Sequence, residues 1–348
     1  MIQLFKKKFA WAIFYSIFIT AFTVYLTLDT FVIAKVYSTI PLEQDSPGEN
    51  NYFSDSSGNQ PNGTKTDESN NSSSYEWKDS TVNESNGSSA DETNDSTANR
   101  GTDSKVVLKN SYSDENISIT LTEYREYDTS IYVADVIVSS PEYLQTALAQ
   151  NVYGRNVTEK TSEMAKNNNA ILAINGDYYG AQENGYVIRN GILYRNTASN
   201  NQEDLVIYKD GSFGIFIEGD ITAEQLIENG AKEVLSFGPA LVTDGTIAVS
   251  ENEEVGKAKA SNPRTAIGFV DNLHYLFVVS DGRTDESKGL SLFQLAGFME
   301  SLGVEIAYNL DGGGSSTMYF NGEVVNNPTT NGRSIKERSV SDIVYIGY

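Results

Sequence analysis

From Phe9 to Leu28 the chain runs through 20 residues without a charge, rich in Phe, Ile, Ala and Leu. A helix of that length rises about 30 Å, the hydrocarbon thickness of a bilayer. Lys6, Lys7 and Lys8 precede it, so the positive-inside tendency places the N-terminus in the cytoplasm and everything after Asp29 outside. A cleaved signal peptide would share the basic start and the apolar run. This run is long for one and ends without a small-x-small cleavage site, which favours an uncleaved single-pass anchor within residues 1–35. Periodicity then disappears. Residues 36–104 are mostly Ser, Asn, Asp, Glu, Gly and Thr, with scattered aromatics such as Tyr52 and Trp77. Such a stretch buries too little apolar surface to offset its chain entropy, and it is expected to be a disordered acidic linker. A polar, self-repelling spacer is expected to project the C-terminal region away from the membrane.

Regular patterning resumes at 105 and continues to 348, enough chain for one sizeable core. Ile117 to Leu121 alternates apolar and polar, and Ile131 to Val138 is a nearly continuous β-branched and apolar strand. Thr161 to Asn169 reads as a short helix leading into a buried strand, Ala170 to Ile174. Hairpins are expected across Arg189-Asn-Gly191, Lys209-Asp-Gly211, Asp271-Asn272 and Asn321-Gly322. Ile221 to Asn229 reads as a helix. A third helix begins at Ser291, three residues before Gln294, carries Leu292, Leu295, Ala296, Met299 and Leu302 on one face, and closes at Gly303. With strands on either side it makes a βαβ crossover, which would set Asp281 and Asp311 on one sheet edge if those strands are parallel neighbours. The expected class is α+β, a mixed β-sheet flanked by helices.

Charge and composition narrow the chemistry. The formal net charge of −22 repels nucleic acid. With no cysteine, disulfides, thiol nucleophiles and Cys-ligated metals are excluded, and one histidine, His274, argues against a Ser-His-Asp triad or a multi-histidine zinc site.

Four segments carry the most specific signal: Ala173-Ile-Asn-Gly-Asp-Tyr-Tyr179, Pro263-Arg-Thr-Ala-Ile-Gly268, Ser280-Asp-Gly-Arg283 and Asn309-Leu-Asp-Gly-Gly-Gly-Ser-Ser-Thr-Met318. In order and spacing, together with Glu337-Arg-Ser-Val-Ser-Asp-Ile-Val344, they resemble the phosphodiester glycosidase family over roughly Val106 to Tyr348. Asp177 departs from the pattern, where many relatives are expected to carry Gly. The resemblance implies a hydrolase that cleaves the glycosidic bond of N-acetylglucosamine-1-phosphodiesters. On a membrane-anchored extracellular domain the substrate would be a sugar–phosphate polymer or glycoconjugate of the cell envelope.

The residues permit that chemistry. Gly312, Gly313 and Gly314 let backbone approach a ligand, and the adjoining amides with the Ser315 and Ser316 hydroxyls could surround phosphate oxygens. A tight turn would need fewer glycines. Arg264 and Arg283, with Arg338 third, could grip phosphate through bidentate forks, although each alone reads as a surface ion-pair residue. Asp311 is the expected catalytic group, attacking or activating water, with Asp281 assisting; the plainer role for either is to stabilise a turn. Because a phosphomonoester leaves as a stable anion, cationic stabilisation can replace much of the acid catalysis. Asn175, Asp177 and Asn309 complete the substrate-binding set, and Tyr178 and Tyr179 are candidates for sugar stacking. Asn175, Asp177, Asp281 and Asp311 also have the hard-oxygen character that calcium or magnesium takes, without an ordered ligand loop. The competing readings are a non-catalytic factor that binds or assembles exopolysaccharide or a teichoic-acid-like polymer, and a metal-dependent phosphodiesterase.

Overall fold

The computed structural model describes residues 10–39, 105–251 and 261–348. Most of the linker expected over 36–104 therefore lies outside the described residues. Helix α1 (Ala10–Phe31) contains a segment, Trp11–Thr30, long and apolar enough to cross a membrane. Four residues beyond α1, Lys35–Thr39 forms a strand that pairs antiparallel with Val152–Arg155. Residues 36–39 thus belong to the domain's secondary structure and not to the linker. The chain rejoins the domain before the acidic tract begins.

The domain is built from antiparallel ladders. An eight-stranded sheet runs, edge to edge, 246–247, 240–243, 306–309, 264–271, 274–280, 129–138, 117–126 and 105–113. A five-stranded sheet runs 323–324, 318–320, 172–175, 342–346 and 144–148. A second five-stranded sheet runs 213–217, 203–208, 231–235, 187–189 and 192–195. Side chains from all three meet in one core, among them Leu121, Ala134 and Val136 from the first, Leu172 and Val344 from the second, and Leu205 and Leu235 from the third.

The continuous apolar character of 131–138 follows from coverage on both faces. Tyr132, Ala134, Val136 and Val138 point into the central core, while Ile131 and Val133 pack under helix α4 (Leu292–Ser301). Each five-stranded sheet is backed by its own short helix, α2 (Thr161–Asn167) and α3 (Ala223–Glu228). In α4 the Ser291 hydroxyl accepts from the Gln294 amide at 3.1 Å and the Gln294 side chain accepts from the Ser291 amide at 2.9 Å, the reciprocal cap its spacing predicts.

The α+β class holds, but among the described residues the ladders of the three sheets are all antiparallel where a mixed sheet was expected, because the helical crossover joins strands that are not neighbours. Strands 274–280 and 306–309 run the same way but are not neighbours, because 264–271 lies between them and pairs antiparallel with both. The hairpin satisfies its backbone hydrogen bonds on both edges of its first strand. Asp281 and Asp311 still lie past the ends of strands running in one direction, separated by the start of the intervening strand at Arg264.

Candidate active site

The chain crosses from the eight-stranded sheet to the C-terminal sheet through residues 310–317, between Ile306–Asn309 and Met318–Phe320. Asp311 therefore sits at the seam between two sheets. The crossing is crowded, which explains its glycines. Gly313 has φ 63°, and a Cβ there would lie 2.8 Å from Arg283 Nη2; at Gly314 it would lie 2.5 Å from Thr330 Oγ1. The loop amides are largely engaged, with Gly313 donating to Pro263 O at 2.8 Å and Ser315 and Ser316 donating to Gly312 O and Gly313 O at 3.3 Å. Gly312 is held against Pro263 O. The amide cradle expected for phosphate is thus mostly a self-bonded turn, and Ser316 is fully buried with an unpaired hydroxyl.

Asp311 Oδ2 accepts from Ser315 Oγ at 2.6 Å and Arg338 Nη2 at 2.9 Å, and Arg338 Nε donates to Ser315 Oγ at 2.9 Å. Its Oδ1 has no protein partner among the described residues, and Asp311 lines two adjoining clefts of about 560 and 220 Å³. Burial raises its carboxyl above the ordinary aspartate range, against the opposing pull of Arg338 and Ser315. The larger cleft presents Gln182, Asn184, Gln202 and Ser236 beside Tyr178 and Phe237, whose rings meet edge-on at 6.5 Å. Amides, hydroxyls and aromatic faces are the groups a sugar ring requires. Tyr178 is exposed in this wall. Tyr179 is buried, stacked on Tyr153 at 5.5 Å, and is not available to stack on a sugar.

Positive charge gathers on one side of Asp311. Burial and then the charge of Arg338 lower the affinity of Arg283 for its proton, and burial with Arg283 does the same to Arg264, pushing it down to about 10. These guanidiniums therefore lie within electrostatic reach of their neighbours. Arg338 lines both clefts. Arg283 is exposed and fixed through Nε to Asn262 and Nη1 to Thr330 O, whereas Arg264 is buried and donates to Leu290 O at 2.9 Å.

Several sequence candidates take other places. Asp281 does not line either cleft; its oxygens accept from Asn326 Nδ2, Asn327 N and Asn327 Nδ2 at 2.8–3.2 Å, so it anchors the 326–327 segment. Asn175 is fully buried, donating to Asp311 O at 2.6 Å and accepting from Thr265 Oγ1 and Thr317 N. It positions the loop that carries Asp311. Asn309, also fully buried, donates to Gly238 O at 2.7 Å and braces the segment that presents Phe237. Asp177 borders the smaller cleft but is almost entirely buried, its oxygens held by Tyr179 N, Ser236 N and Arg189. The four oxygen donors considered for calcium or magnesium are therefore not assembled, and no group of three acidic or histidine side chains suited to a metal occurs among the described residues.

Sequence reasoning passes over Arg189 and the amide wall of the larger cleft. Arg189, fully buried, donates to Asp177 Oδ2 at 2.8 Å and to Asp342 Oδ2 at 2.6 and 3.0 Å. Its place beside Asn190-Gly191 points only to a hairpin turn. Asp342 lies inside the C-terminal motif, the one signal that could have pointed to the cluster.

Among the described residues, Asp311 at the sheet seam keeps one carboxylate oxygen open to the two clefts with the Arg338 guanidinium beside it, an arrangement suited to chemistry next to an anion. The phosphodiester glycosidase family matches residues 168–347, and the chain belongs to that family. Among similar proteins, the SPbeta prophage-derived protein YomE of Bacillus subtilis (strain 168) is 29% identical over 203 residues, covering 56% of this chain and 31% of YomE. The N-acetylglucosamine-1-phosphodiester alpha-N-acetylglucosaminidase of Mus musculus is 27% identical over 175 residues, 45% of this chain and 33% of the mouse protein. The chain thus spans about a third of the length of these relatives. The zebrafish enzyme of the same name, solved as a catalytic domain auto-inhibited by its pro-peptide, superposes with a TM-score of 0.55 at 22% identity, covering 70% of this chain and 88% of that one. A Synechocystis protein gives 0.52 at 13% identity, with 67% and 62% covered. At these identities the likeness is one of fold.

Proposed function

We propose that the domain hydrolyses the C1–O bond of an N-acetylglucosamine-1-phosphodiester at the outer face of the cell membrane, with α1 as its anchor. The observation that carries this is Asp311: one carboxylate oxygen is held by Ser315 and Arg338 and the other is unbonded where the two clefts meet. The sugar fits the larger cleft, and Arg338 stands beside the departing phosphate with Arg283 behind it. Asp311 Oδ1 then faces the anomeric carbon or the water that attacks it. No second carboxylate is needed to protonate a leaving group that departs as a phosphomonoester.

The full-length protein in detergent, given the methyl phosphodiester of N-acetylglucosamine-1-phosphate in heavy-oxygen water, is expected to release free N-acetylglucosamine and methyl phosphate that carries no label. Label in the methyl phosphate, or release of N-acetylglucosamine-1-phosphate with methanol, would mean P–O cleavage; saturable binding without turnover would mean a recognition module. Arg338→Gln removes the charged phosphate partner that lines both clefts, worth about 1.5–3 kcal/mol, and is expected to lower kcat/KM by roughly ten- to a hundredfold. An unchanged kcat/KM would remove Arg338 from the phosphate site.

A further inference from the structure

The strand Lys35–Thr39 ties the end of α1 to the wall of the smaller cleft. Its partner strand ends at Arg155, and the next residue, Asn156, donates through Nδ2 to Thr30 O and Ile33 O at 3.2 Å each. Those carbonyls lie at the C-terminal end of α1, where a helix leaves acceptors without internal donors. Asn156 also lines the smaller cleft together with Asp311, Ser315 and Arg338. One side chain therefore touches both the end of the membrane-crossing segment and the cleft that holds the candidate catalytic group.

Two further observations show that this docking is built into the domain. At Gly154, paired with Val36, a Cβ would lie 2.2 Å from Lys35 O and 3.0 Å from Val36 Cα, so the position excludes a side chain because the N-terminal strand passes over it. Tyr37 meets Tyr153 at 5.7 Å, and Tyr153 stacks on Tyr179. Val32, Ile33, Val36 and Tyr37 are exposed, continuing an apolar surface from α1 up to the domain. In water that surface is unfavourable; at a lipid interface it is covered.

We infer that the strand Lys35–Thr39 holds the smaller cleft at the membrane surface, and that the substrate is a membrane-embedded glycolipid whose sugar C1 is joined through phosphate to a long-chain lipid alcohol. This rests on the hydrolase reading and specifies its substrate. The sugar lies in the larger cleft and the phosphate at Arg338, while the lipid chain of the alcohol runs out through the smaller cleft past Asn156. In the reaction, water adds to C1 and the C1–O bond breaks. The electron pair leaves with the lipid phosphate, the water's proton passes to Asp311 Oδ1 and from there to solvent, and the products are free sugar and a lipid phosphomonoester.

The test compares two substrates with one headgroup, using full-length protein reconstituted in phosphatidylethanolamine–phosphatidylglycerol vesicles. One is the methyl phosphodiester of N-acetylglucosamine-1-phosphate in solution; the other is its long-chain alkyl phosphodiester in the same bilayer. The variant carries about 20 Gly/Ser residues inserted between Ala34 and Lys35, which leaves the strand free to dock but lets the domain stand about 25 Å off. The expected result is at least a tenfold loss on the embedded substrate with an unchanged rate on the soluble one. Equal rates on the embedded substrate for the variant and the parent would overturn the membrane placement alone. Loss on both substrates would show that the insertion damages the site itself and would likewise overturn it. No turnover of either by the parent would overturn both this inference and the hydrolase reading beneath it.

Discussion

Asp311→Asn is expected to abolish measurable turnover, lowering kcat about a thousandfold, the middle of the range for removal of a positioned acid–base or nucleophilic group. The substitution keeps the size of the side chain and its bond to Ser315, so the loop crossing should persist. Arg338, whose side chain is 43% exposed, loses its ion partner but can be solvated. Burial raises the Asp311 carboxyl in the folded protein, so ionising it there is unfavourable relative to the unfolded chain. That cost is absent below the unfolded value near 3.9 and grows as pH rises through the raised folded value. Removing the charge should therefore leave the melting temperature unchanged or slightly higher at neutral pH. In the parent, activity that needs ionised Asp311 should rise along an acid limb lying above the ordinary aspartate range. Full turnover in the Asn variant, or a limb at the ordinary value, would remove Asp311 from the chemistry.

The parts of this arrangement visible in the sequence are those set by neighbours along the chain. Strand 131–138 was legible because both its faces are covered, and the α4 cap because Ser291 and Gln294 stand three residues apart. The edge strand 105–113 was not, since from Val106 to Ser111 its side chains face solvent and only Tyr112 packs on the core, which leaves no period to read. Strand order was hidden for a different reason. The turn at Asp271-Asn272 announces a hairpin but not that its first strand inserts between two others.

The site divides along the same line. Asp311, Ser315 and Arg338 belong to motifs and do meet, whereas the fate of Asp281 was decided by Asn326 and Asn327, about 45 residues away. Asn175 and Asn309 look like polar ligands in sequence. In the fold each satisfies backbone groups that would otherwise be stranded in the core, and the site depends on them through the loops they brace.

Arg189→Met is expected to cost about 3–5 kcal/mol of folding free energy, a large share of a typical domain's stability. Arg189 is the buried counter-charge for both Asp177 and Asp342, with further bonds to Ile188 O and Val234 O. Burial, and then the neighbouring Asp177, already raise the Asp342 carboxyl even with the guanidinium present. Without it the Asp342 carboxyl should rise further. By proton linkage, between the unfolded value near 3.9 and the raised folded value of Asp342 the native state binds more protons, so stability falls as pH increases. Urea midpoints of the variant should be higher at pH 5 than at pH 8. Adding Asp342→Asn should recover part of the loss by removing one unpaired charge. Because Asp177, which borders the smaller cleft, also fixes Ser236 N in the wall of the larger one, the same variant should lose activity before it unfolds. A pH-independent loss of stability would instead assign Arg189 to packing, with its charge immaterial.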